Sequence, residues 1–288
     1  MSIRNSEERL GHRELGDTSP VAHAQQESQS SPFSFVVPTE FVELPSRGKY
    51  YPKEHPLHNV ETIEIKHMTA KEEDLLSSRS LLKKGLAIHR VLQSIIVDKR
   101  VDPDLLLIGD KNAVIISTRI AAYGSDYQTQ VTCPGCNTTL KHNFDLEQVS
   151  PRQEEGYGEF ADSITRKGDN FVISLPKTKV NVEVRLLNGK DEKHLAEAMN
   201  MKRKHNLPDA MMTDQFKIFI VAVNEHTDRA IINGFAEQMP ASDSRFLRSA
   251  YDRIVPNVEM TQEFTCNNCG YEAAMEVPLS ADFFWPKR

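Results

Sequence analysis

Cysteine is scarce in this chain of 288 residues. There are four, and all of them sit in two short fragments, "VTCPGC" at 131–136 and "FTCNNC" at 264–269. Tryptophan occurs once, as Trp285. No apolar run approaches the ~18–20 residues that span a bilayer. The opening MSIRNSEERLGHREL lacks the apolar core of a secretory signal. With nothing pointing to export, the thiols are expected in a reducing compartment. Paired cysteines there read as metal ligands or redox centres. A Gly-rich phosphate loop, an HExxH motif and a Ser/His/Asp set with supporting context are also missing, so no enzyme is expected. Positive charge is in deficit: the formal net charge is −6. A protein built to grip phosphate usually carries a basic excess, so nucleic acid is not an expected partner, and neither is a membrane.

What is present suits an α+β fold. Residues 1–33 are polar, with almost no large apolar side chains, and read as a disordered tail. The stretch around Pro38, Pro45, Pro52 and Pro56 predicts short extended pieces and turns. "VETIEIKHM" alternates like a strand. Thr69 and Glu72 have capping-box spacing, which predicts a helix through "EEDLLSSRSLL". More helix is expected in "LAIHRVLQSIIVD" and after Asp110, read as an N-cap, with Gly124 as the stop. The first Cys pair then lies between two strands.

The order of events repeats. "IEIK" at 63–66 matches "VEVR" at 182–185 at an offset of 119 residues, which also sets Thr69 against Asn188. Leu44-Pro45 matches Leu175-Pro176 across a gap. From Asp110 to Leu146 a single offset of 133 residues sets Asp110 on Asp243, Cys133 on Cys266 and Cys136 on Cys269. It also sets Gly124 on Asn257, Gly135 on Asn268 and Asn137 on Gly270, residue types that tolerate positive φ. We therefore read two related halves, 34–147 and 170–288, joined by a linker at 148–169, each ending in a Cys knuckle.

Two knuckles supply four sulfurs, enough for one tetrahedral zinc ion. The 129 residues between the pairs are explained if each half brings one hairpin tip to a shared ion. Cys133, Cys136, Cys266 and Cys269 are the expected ligands of one structural Zn2+, and such a split zinc ribbon leaves no open position for catalysis. A thiol oxidoreductase is the rival, although neither pair opens a helix, the setting that lowers a thiol pKa. A zinc-ribbon nucleic-acid-binding protein is the other. His142 could replace a ligand; a solvated strand residue is the simpler reading. "MKRKH" at 201–205 reads as a solvated helix face. The dense aromatics Phe283, Phe284 and Trp285 are expected to dock on the body or on a partner.

Taken in order, "FVELPSRGKYYPKEHPL", "IKHMTAKEEDLLSSRSLLKKG", "VLQSIIVD", "LLLIGDKNAVIISTRIAAYGSDYQTQVTCPGC" and "MTQEFTCNNCGYEAAMEVPLSADFFWP" resemble the baseplate hub and hub assembly proteins of T4-like contractile-tailed bacteriophages. The likeness runs over residues 35–288. It implies a structural or assembly role in the tail, with other hub, wedge or tape-measure proteins as partners. It further implies synthesis in the infected host's cytoplasm, and leaves retention in the virion open. The family's two Cys pairs fall on Cys133, Cys136, Cys266 and Cys269.

Overall fold

The computed structural model describes residues 37–152, 156–208, 210–279 and 283–284. The expected tail at 1–33 and Trp285 lie outside them. In chain order the first half holds β1 (Thr39–Glu43), β2 (Thr62–Lys66), α1 (Ala70–Ser77), α2 (Arg79–Lys83), α3 (Ala87–Ile95), α4 (Ile108–Tyr123), β3 (Asp126–Thr132) and β4 (Thr139–Asp145). The stretch 148–169 holds β5 (Ser150–Pro151), a 3-10 turn, and β6 (Ile164–Lys167). There follow β7 (Asn170–Ser174), β8 (Asn181–Val184), α5 (Gly189–Lys204), α6 (Met211–Phe219), β9 (Ile220–Val223), α7 (Arg229–Gln238) and α8 (Ala241–Ile254). The last strands are β10 (Val258–Glu259), β11 (Thr261–Thr265) and β12 (Glu272–Glu276). All pairing is antiparallel: a four-stranded sheet in the order β6-β7-β8-β9, and the two-stranded pairs β1-β2, β3-β4, β5-β10 and β11-β12. None of the described helices is long and apolar enough to cross a membrane.

Local chemistry sets the helix starts. Thr69 donates from its N–H and its hydroxyl to the Glu72 carboxylate, and Ser94 Oγ adds a third donor at 2.5 Å. Asn188 and Asp191 form the same reciprocal box at the start of α5. Each box satisfies backbone donors that a helix N-terminus leaves open. The helix expected through "EEDLLSSRSLL" breaks in two, because Ser78 turns extended at φ −65°, ψ 106°. α3 ends at Ile95, within the expected "IIVD", because Ile96 leaves the helix to bridge Ile65 on β2.

That bridge has a counterpart. In the second half Ile220, directly after α6, pairs with Val184 on β8, and Val184 stands 119 residues after Ile65. A second counterpart lies in the core. Asp110 sits in the first turn of α4 and is fully buried. It is not the N-cap, which is Leu107. Its carboxylate accepts from Ser46 N–H (2.9 Å), Ser46 Oγ (2.6 Å) and Tyr51 Oη (2.7 Å). Asp243, in the first turn of α8 and fully buried, accepts from Lys177 N–H and Thr178 N–H, both at 2.9 Å. Ser46 follows Leu44-Pro45, and Lys177 follows Leu175-Pro176. Each buried carboxylate thus ties the loop after a strand to the helix that leads into a hairpin.

The ends of the two helices differ. Gly124 stops α4 at φ +81°. Asn257 takes no positive φ; its Oδ1 instead accepts from Val258 N–H and Asn112 Nδ2. The start of α4 also meets the start of α5: Ile108 N–H donates to Leu187 O, Gly189 N–H donates to Leu106 O, and Lys111 pairs with Glu192 at 2.6 Å.

Arg119 on α4 is 1% exposed. Its guanidinium donates to Phe283 O (2.9 Å), Gly124 O (2.6 Å) and Asp126 O (3.0 Å). One cation thus pins the helix end, the start of β3 and the C-terminal aromatic pair. Phe283 and Phe284 are buried, with Phe283 edge-on to Tyr127 at 5.0 Å. Arg119→Leu leaves three carbonyls without their donor and is expected to cost about 3 kcal/mol or more, read from urea denaturation.

Candidate metal centre

The strand pairs β3-β4 and β11-β12 each carry a knuckle at the tip, as the sequence predicts. The ladders end at Thr132 opposite Thr139 and at Thr265 opposite Glu272. Beyond them the two turns close in the same way. Cys133 N–H donates to Thr138 O and Asn137 N–H to Cys133 O. Cys266 N–H donates to Tyr271 O and Gly270 N–H to Cys266 O. Asn137 (φ +54°) and Gly270 (φ +72°) are the left-handed residues these closures require. Gly135 and Asn268 do not share that need, since neither takes a left-handed φ. Gly135 is small for another reason: a Cβ there would stand 2.8 Å from the Tyr271 ring. Asn268 instead reaches across to Cys136 Sγ (3.7 Å) and Thr138 Oγ1 (3.3 Å).

The fold brings all four cysteines together, with every sulfur within 4.8 Å of the others. The contacts Cys133–Cys269 and Cys136–Cys266 are both 3.8 Å, and both cross from one hairpin to the other. Four sulfurs placed tetrahedrally at ~2.3 Å from one centre lie ~3.8 Å apart. The set therefore has the size of a single tetrathiolate metal site, and could hold one ion. Cys133 and Cys266 are buried, Cys136 is half-buried and Cys269 is exposed, so the site sits at the hairpin tips with one side toward solvent. Gly135 N–H points at Cys133 Sγ at 3.3 Å.

The electrostatics of the four thiols diverge. Hydrogen bonds from Thr138, then from Asn268, hold Cys136 down to about 6. Burial works against ionisation of Cys266, but backbone N–H groups of Cys269 and Asn268 bring it below the ordinary thiol value. Cys269, despite a backbone bond to Tyr271, is pushed up to about 12 by burial and by the neighbouring thiols. Like charges this close resist joint ionisation, and a divalent cation at their centre relieves that repulsion.

His142 is outside the cluster. Its ring lies edge-on between Phe144 (4.6 Å) and Phe264 (5.2 Å), one on each hairpin. It helps the hairpins pack, and burial lowers its pKa. The basic run at 201–205 closes α5, where cations complement the helix dipole, and Lys202 pairs with Asp214 at 2.5 Å. A group the sequence did not signal is His89, Asp102 and Asp104. His89 Nδ1 lies 2.8 Å from Asp104 Oδ1 but outside hydrogen-bond geometry, and Asp102 caps a 3-10 turn through Asp104 N–H.

Among known proteins, residues 37–165 match the sequence model of a family described as T4 bacteriophage base plate protein. The match takes in β1 through β5, hence the first knuckle, and ends within β6, before the second knuckle. The resemblance read from the sequence is borne out over that stretch. No curated protein and no solved structure matches the chain.

Proposed function

On the premise that this chain carries the T4-like base plate pattern over residues 37–165, we propose that it is a non-enzymatic component or assembly factor of the baseplate hub of a contractile tail. Its partners are other hub, wedge or tape-measure proteins. The family match is the observation that carries this reading, and it supports a structural role in the base plate. The protein is made in the host cytoplasm and acts on, or stays in, the tail.

Within that role, Cys133, Cys136, Cys266 and Cys269 hold one structural Zn2+. The 3.8 Å sulfur contacts between hairpins support the assignment, and a fully thiolate-bound ion leaves no site for water or substrate. The halves arise from an internal duplication. Supporting this are the paired capping boxes, the Ile65–Ile96 and Val184–Ile220 pairings, the buried Asp110 and Asp243, and the matching knuckles. The zinc then fixes the angle between the two hairpins and the surface they present.

The test is quantitative mass spectrometry of purified tails and of base plate intermediates from infected cells. Stoichiometric presence in either supports the assignment. Absence from both overturns it.

A further inference from the structure

β7 is an interior strand, held by β8 on one edge and β6 on the other. Among the described residues, its counterpart β1 pairs with β2 alone. The bonds flanking the β1-β2 ladder set its phase: His67 N–H donates to Pro38 O, and Leu44 N–H donates to Glu61 O. Both lie on the register that places Phe41 opposite Glu64. Pro38, Glu40, Val42 and Leu44 therefore turn their backbone groups toward β2. Those of Thr39, Phe41 and Glu43 point to the other edge. Among the described residues that edge has no backbone partner. Phe41 is 71% exposed. An open strand edge bearing an exposed aromatic is a template for an added strand.

The second half shows what such a strand carries. Its register places Val172 opposite Glu183, just as Phe41 stands opposite Glu64. Glu183 is half-buried and is held by Lys167 of β6 at 2.7 Å and by Asn170 at 2.8 Å. Glu64 is equally half-buried, yet no basic side chain reaches it among the described residues. Glu40, Glu43 and Glu61 lie on or beside the same strands. Glu40 already has His67 at 3.7 Å and Lys66 closes β2 opposite Thr39, but among the described residues Glu43, Glu61 and Glu64 have no ion pair and remain short of positive charge. A second copy would offer "TEFVE", which has none. The segment just ahead of β1 in the sequence, "FSFVV", has none either.

The geometry points to the outer edge of β1 as a docking site for an extended segment of another protein. That segment adds antiparallel to β1, with an apolar residue followed by basic ones, as in Ile164–Lys167, and sets a lysine against Glu64. The inference deepens the base plate reading and rests on it only for the class of donor, a neighbouring tail protein.

The test uses the full chain and a synthetic peptide of residues 161–169, ADSITRKGD, with hydrogen exchange followed by NMR. Without peptide, the amides of Thr39, Phe41 and Glu43 should exchange fast while those of Glu40 and Val42 are protected. Saturating peptide should slow those three amides. A Lys167→Glu peptide sets like charges together and should bind roughly tenfold more weakly. Phe41→Pro removes an outward N–H that β2 does not use, so the fold should persist while peptide binding is lost. Protection of the three amides in the chain alone would show the edge already covered, and would overturn the proposal. So would unchanged exchange at millimolar peptide, or binding that survives Phe41→Pro. These readouts need no phage, so their failure leaves the base plate assignment standing, and absence from tails would leave the edge standing.

Discussion

Cys266→Ser is expected to drop bound metal from one ion per chain to none and to cost more stability than any other single change at the hairpins. Cys266 is 1% exposed, and its sulfur meets Cys136 of the other hairpin at 3.8 Å. Structural zinc in small peptides is worth roughly 10–16 kcal/mol, against ~5–15 kcal/mol for a whole domain. The loss here is smaller than the peptide figure, because the hairpins also touch without the ion. His142 packs between Phe144 and Phe264, and Gln262 bonds both to Asp145 N–H and to Asp145 O. Several kcal/mol should be lost, with hydrogen-exchange protection failing first at the tips, around 131–140 and 264–273. A chelator should reproduce this in the unaltered chain. Elemental analysis and thermal melting decide it; unchanged metal content and melting in the variant would sink the clamp.

Asp110→Ala should have the next largest effect, about 3–5 kcal/mol, because three buried donors lose their acceptor. The substitution strands Ser46 N–H, Ser46 Oγ and Tyr51 Oη in a site that water does not reach. Tyr51 cannot recover by ionising, since burial by itself raises its pKa. Its hydroxyl also accepts from Leu107 N–H at the head of α4, so the damage extends to the helix start. Asp243→Ala strands two backbone donors and should cost about 3 kcal/mol. Urea denaturation of the two variants provides the comparison. Near-equal, large losses fit two carboxylates with one duty; a loss within ~0.5 kcal/mol at either would match an ordinary surface position and break the parallel.

Much of this fold is legible in the sequence because its signals are local. Thr69 with Glu72, Asn188 ahead of α5, Gly124 and the two Cys-x-x-Cys turns each need only a few neighbouring residues to act. The hidden parts depend on distant partners. Asp110 looks like a helix cap because acids favour first turns; only the folded chain shows that its partners are Ser46 and Tyr51. Ile96 looks helical until β2 offers it a bridge. Gly135 looks like a turn glycine, whereas the Tyr271 ring opposite it sets its size. Nothing in "STRIAAYG" announces the three carbonyls that Arg119 serves. The β6 strand lies in a stretch too short and polar to stand out as a strand, and its value comes from covering β7.

The four cysteines are the opposite case. Their scarcity and their spacing point to one cluster, and the hairpins deliver the sulfurs to it. What the clamp holds is best read at the metal itself. X-ray absorption at the zinc edge on the purified full-length chain should show four sulfur neighbours at ~2.3 Å, with one zinc per chain by elemental analysis. A first shell containing nitrogen or oxygen, or a chain that folds with undiminished stability and no metal at all, would contradict it.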